Sequence, residues 1–132
     1  MHALAFTHGD EALAGLHAYC VQHGIAAAHF VALGALAGAR VAYFDWETKD
    51  YEAIEVDEQV EVLSLVGTVA LHEGEPLIHA HIVLGRRDGS ACGGHLLEAR
   101  VRPTLELVLT EGEQPLHKAV DPESGLPVLK LD

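Results

Sequence analysis

"HAHIVLGRRDGSACGGH", residues 79–95, decides how this chain is read. Two apolar runs flank Arg87, Asp88 and Gly89, a triplet suited to a three-residue hairpin loop, a type I turn closed by glycine in the left-handed region. Such a loop makes Arg86 face Ser90, and counting outward puts His81 directly opposite His95. Strand side chains alternate, so His79 shares their face two residues along. Facing residues lie about 5 Å apart at Cβ and diagonal ones about 7–8 Å. Three imidazoles so placed can converge on one ion, with Zn–N bonds of about 2.0–2.1 Å. An HxH pair alone is weak evidence, because strands often carry polar surface histidines. A third histidine on the same face strengthens it.

The opposite face of the hairpin, Ile78, Ala80, Ile82 and Leu84 against Cys92, Gly94 and Leu96, is the core side. The histidine face also carries Leu77, Val83 and Leu97, so it is no ordinary solvated surface. A sheet apolar on both faces needs a second cover, most simply another subunit. Gly93 and Gly94 let a backbone, metal or ligand come close. Three histidines with a fourth position open are the catalytic-zinc pattern, whereas a closed structural site needs a fourth protein ligand.

Outward from the hairpin the texture is mostly β. "AAHFVALGAL" and "ARVAYFDW" are apolar runs punctuated by Gly34 and Gly38, and "YEAIEV" alternates. "VEVLSLVGTVAL" holds Gly67, expected to mark a bulge or a close approach. "EGEP" at 73–76 reads as a turn and "TLELVLTE" as a strand after Pro103. Near the start, "DEALAGLHAYCVQHG" reads as a helix: Asp10 as N-cap, Leu13, Leu16 and Cys20 on one face, Gly24 just past the end. His17 and His23 on that helix are expected at the surface. Many short strands, one helix and no βαβ rhythm predict an α+β domain on antiparallel sheet. The domain is expected over 1–118, with Pro/Gly-rich residues 119–132 as a peripheral tail.

Composition narrows function. The 132 residues fit one domain. Twenty acidic residues against eight basic ones leave a net charge of −12 with neutral histidines. Nucleic-acid affinity comes largely from Lys and Arg neutralising phosphates, so DNA binding is disfavoured. No apolar run reaches the roughly 18 residues of a membrane span. The start lacks a basic n-region, which argues against a secretory signal and for a cytoplasmic location. Cys20 and Cys92 are too few for a disulfide framework and are read as small buried apolar residues.

The stretch "PLIHAHIVLGRRDGSACGGHLLEARVRPTLELVLTE", with the upstream "FVALGALAGARVAYFDWETKDYE" and "EVLSLVGTVAL", resembles the plant and prokaryote conserved (PPC) domain in its free-standing prokaryotic form. The likeness covers roughly residues 2–112. It implies an α+β fold with a curved, mainly antiparallel sheet and one main N-terminal helix, assembled as a homotrimer. It also implies a metal held by histidines matching His79, His81 and His95. Plant members join this domain to an AT-hook, an Arg-Gly-Arg-Pro element that enters the DNA minor groove. No such element stands here, and no settled reaction comes with the resemblance.

Two classes of function follow. One is a metal-centred ligand-binding protein or enzyme: Zn²⁺, or another divalent transition metal, could lower the pKa of bound water or polarise a carbonyl. A metal-dependent hydrolase or lyase would also want a carboxylate, as base or as histidine orienter. Glu106, on the face of "TLELVLTE" away from its leucines, is the candidate catalytic residue. Glu98 is weaker, being on the core parity near the hairpin's end. Arg86, Arg87, Arg100 and Arg102 crowd the hairpin and could receive a small anionic ligand or simply pair with acids. The alternative is a non-catalytic oligomerisation and protein-interaction module. No glycine-rich phosphate loop indicates a nucleotide.

Overall fold

Alternation and turn chemistry resolve into nine elements in the computed structural model, which describes residues 1–131. They run β1 (His2–Thr7), α1 (Ala12–His23), β2 (Ala27–Asp45), β3 (Asp50–Val56), β4 (Val60–His72), β5 (Glu75–Gly85), β6 (Ala91–Glu111), β7 (His117–Val120) and β8 (Pro127–Lys130). All strand pairs are antiparallel except a short parallel contact of β7 with β4 at Leu71 and His117. The α+β reading is correct. One expected break is absent: Gly34 and Gly38 do not end a strand but lie within the 19-residue β2. Glycine there serves close packing, because a Cβ at Gly34 would run into the Thr104 carbonyl. Similarly β6 runs 21 residues, straight through Pro103.

These two long strands curl the sheet until it meets itself. β2 pairs with β6 on one side and β4 on the other, β4 pairs with β5, and β5 returns to β6. Register shifts at Gly34, Leu36 and Arg40 of β2 supply the bending, as bulges do by adding a residue and local twist. The inner face holds the core, including Leu36, Val69, Leu84, Leu105 and Leu109, each 0% exposed. Burying one such leucine contributes about 1.5–3 kcal/mol.

Helix α1 packs against β5 and β6 through Ala12, Leu16 and Cys20. Gly24 ends it in the left-handed region at φ 63°, as expected. The N-cap is not Asp10 but Glu11, whose carboxylate accepts from the N–H groups of Leu13 (3.1 Å) and Ala14 (2.9 Å). The reason is tertiary. The carbonyl of Asp10 is bound to the N–H of Val101 at 2.9 Å, and Glu11 also accepts from Ala99 N at 2.8 Å. Docking on β6 thus moves the cap by one residue.

Gly67 marks a close approach rather than a bulge: a side chain there would meet the Phe30 ring and the carbonyl of His79. The bulges lie elsewhere, at Leu63 of β4 and Leu97 of β6. The second matters for chemistry. The extra residue flips parity, so Leu96, Ala99 and Val101 are all buried. Glu98 therefore does not follow the core parity expected of it; it stands beside Arg100, which donates to it at 3.1 Å.

Candidate metal centre

The turn that fixes the site is built as its sequence dictates. Arg86 N–H donates to the Ser90 carbonyl at 2.8 Å, Gly89 N–H to the Arg86 carbonyl at 2.9 Å, and Gly89 adopts φ 86°. Asp88 locks the corner by accepting from the N–H and hydroxyl of Ser90, at 2.9 and 2.6 Å. The resulting register pairs His81 with His95 and Ile82 with Gly94. Gly93 is required here, since a Cβ on it would collide with the Ile82 carbonyl. On β5, Ala80 and Ile82 are buried, while His79 and His81 face outward.

The three rings converge. His79 and His81 bring their Nε2 atoms to 3.1 Å, and one potential ligand nitrogen from each of His79, His81 and His95 lies within 4.8 Å of the others. Tetrahedral bonds of 2.0–2.1 Å require nitrogens about 3.3 Å apart. The His79–His81 pair is already near that spacing, and the His95 ring completes it by drawing in by at most about 1.5 Å. Nδ1 of His95 is buried and has no hydrogen-bond partner among the described residues. A buried imidazole nitrogen without a hydrogen bond is costly, and a site that puts it to use offsets that cost. The donor set fits a borderline-soft divalent metal such as zinc.

Two residues absent from the sequence reasoning complete the surroundings. Tyr51 of β3 stacks on His95, with ring centroids 4.5 Å apart and planes 25° from parallel. Lys118 of β7 shares a cleft of about 230 Å³ with Tyr51, His79, His95, Leu126 and Pro127. Residues 119–131, expected as a peripheral tail, thus comprise the end of β7, a turn and β8, and contribute to this wall. A wider cleft of about 720 Å³ opens on the other side, between Tyr43, Tyr51, Val66 and the three histidines. Both partners reach the site through long-range pairing, for which the local sequence holds no signal.

Burial holds His95 neutral down to about 4, with His79, His81 and Lys118 adding to the effect. His79 is lowered by burial first, then by Lys118 and His81, and Lys118 is lowered by burial. The metal-free protein should therefore lose stability on acidification. An unfolded-chain histidine takes its proton near 6.5, whereas folded His95 refuses it until about 4. Between those values the unfolded state binds more protons, so stability is full above about pH 6.5 and falls as pH drops through the window. Urea midpoints at pH 7.5 and 5 should show this fall, and His95→Gln should flatten it.

The other expected residues lie apart. Glu106 is exposed, pairs with Leu33 of β2 and Ala5 of β1, and lines none of the clefts at the histidines. Arg86 is engaged with Glu58 at 3.1 Å, and Arg100 with Glu55 at 3.2 Å and Glu98 at 3.1 Å. His17 is exposed, and His23 is stacked on Tyr19 at 4.0 Å. A second polar group not foreseen joins His2 to Tyr19 (2.6 Å) and Glu111 (3.1 Å). Cys20 and Cys92 are free thiols, the first buried and the second half-buried.

The comparisons with known proteins agree with this architecture. The family model of the Plants and Prokaryotes Conserved (PCC) domain matches residues 1–113. A crystal structure of a metal-containing protein from Archaeoglobus fulgidus is 33% identical, with a TM-score of 0.90, covering 98% of this chain and 92% of that one. A plant- and prokaryote-conserved protein from Pyrococcus horikoshii is 31% identical, with a TM-score of 0.92 and coverage of 98% and 90%. A protein from Ralstonia eutropha, provisionally described as DNA-binding, has the same identity, TM-score and coverage: 31%, 0.92, and 98% and 90%. No curated protein sequence matches.

Proposed function

The chain belongs to the Plants and Prokaryotes Conserved (PCC) domain family, and from that premise we propose that it is a trimeric metal-binding protein. His79, His81 and His95 are its ligands and zinc, or a similar divalent ion, is its metal. The observation that carries this is the convergence of three imidazoles within 4.8 Å on a rigid hairpin. The metal-containing relative from Archaeoglobus fulgidus supports it. When bound, the ion supplies Lewis acidity at a position facing the 720 Å³ cleft. The protein's own residues fix the rings, with Tyr51 stacked on His95, and leave room for a ligand.

The trimer reading rests on the outer face. Pairing sets Val108, Val31, Val66, His81 and His95 in one row across the strands. Val31 is 53% exposed, Leu33 65% and Leu63 54%. An apolar band of this kind running up to a histidine cluster fits a subunit boundary beside the site. Glu106 borders the same band, so as a base in hydrolase or lyase chemistry it would serve the histidines only from a second copy.

A non-catalytic interaction module is the second reading, favoured by the lack, among the described residues, of any carboxylate lining the clefts at the histidines. DNA binding is not proposed, because a net charge of −12 opposes it. No helix among the described residues is long and apolar enough to cross a membrane. A reducing cytoplasm suits the two free thiols.

Native mass spectrometry of untagged, zinc-supplemented protein reads assembly and metal together. The expected species is three copies of the 14.1 kDa chain carrying three zinc ions. A metal-free trimer would reject the metal centre, and a zinc-loaded monomer would reject the assembly.

A further inference from the structure

The clefts around the histidines are unusual for this chain in one respect. The sequence carries twenty acidic residues and eight basic ones, yet among the described residues no Asp or Glu lines any of the three clefts that His79 shares. Among the described residues, the one charged side chain lining them is Lys118, half-buried on β7. It makes no ion pair among the described residues, although Arg40, Arg86 and Arg100 all do. Histidine ligands must be neutral to bind a metal. A divalent ion on three imidazoles beside an ammonium would therefore gather three positive charges in a partly desolvated cleft. Nothing in the protomer's lining offsets them among the described residues, which favours a ligand that brings the negative charge with it.

The rest of the lining says what kind of anion. Leu77, Ile78, Leu126, Pro127, Val128 and the Tyr51 ring present apolar surface over about 230 Å³. The cleft has no arginine, serine or threonine to satisfy the several oxygens of a phosphate. One cationic anchor and an apolar wall suit a carboxylate on a hydrocarbon or aromatic body. We propose that this cleft binds a small organic carboxylate, its anionic group between Lys118 Nζ and the three-histidine centre and its apolar body against Tyr51, Leu126, Pro127 and Val128. The anchor is thus not the arginine group at the hairpin but a lysine from a segment beyond the family-matched residues 1–113. The inference rests on reading the histidines as a metal centre, and its test separates the two.

Benzoate is the probe, titrated calorimetrically into the zinc-loaded full chain, with zinc measured on every sample. Wild type should bind benzoate, and its neutral analogue benzamide at least about tenfold more weakly. Lys118→Gln should keep its zinc and lose about tenfold or more in benzoate affinity; Lys118→Arg, which keeps the charge, should recover most of it. Lys118→Gln binding benzoate like wild type at full zinc would overturn the proposal. So would benzamide matching benzoate, or inorganic phosphate binding more tightly than benzoate. If wild type takes up no zinc, the metal reading fails on its own. Benzoate binding to that metal-free protein that depends on Lys118 would still support the cleft; no binding would overturn it.

Discussion

His81→Ala and His95→Ala should each lose zinc by more than about a hundredfold in affinity and still fold. Even outer partners of metal ligands are worth about 10–100-fold, so deleting one of three direct ligands costs more. The fold survives because the rings stand on the outer face, opposite buried Ala80, Ile82 and Leu96. His79→Ala should weaken binding similarly, because its Nε2 lies 3.1 Å from that of His81. His17→Ala and His23→Ala should leave the metal untouched, as neither belongs to the cluster. Elemental analysis of the untagged variants, with circular dichroism for the fold, checks all five. Stoichiometric zinc in His81→Ala would sink the assignment.

The opposite outcome is expected from the other face of the same hairpin. Leu84 is 0% exposed and packs between Val62 of β4 and Cys92 of β6. Leu84→Ala removes its methyl groups and leaves a cavity the closed sheet cannot easily collapse around, costing about 2–5 kcal/mol. The folded fraction should bind zinc like wild type, because Leu84 is buried on the core face and lines none of the clefts at the histidines. Urea denaturation of the two proteins measures the loss. A change below about 1 kcal/mol would mean that the hairpin's inner face is not part of the cooperative core.

How far the sequence reached depended on the range of the interactions. The histidine pairing was legible because a short turn fixes register, and Asp88 and Gly89 specify that turn chemically. The leucine and cysteine spacing of α1 was equally local. Its cap was not, since Glu11 is drawn onto β6 by its bond to Ala99. Gly34 and Gly38 looked like punctuation because their partners, which make glycine necessary inside β2, lie far along the chain. The bulge at Leu97 reversed the expected facing of Glu98 for the same reason. Tyr51 and Lys118 approach the histidines from other strands of the closed sheet, 28 positions before His79 and 23 after His95, where periodicity is silent.

The central claim, a metal held by His79, His81 and His95, is met most directly by anomalous diffraction at the zinc edge from crystals grown with zinc. The account predicts one strong peak per chain at about 2.0–2.1 Å from a ring nitrogen of each of the three histidines. No peak there under zinc excess, or a peak instead at His2, His23 and Glu111, would contradict it.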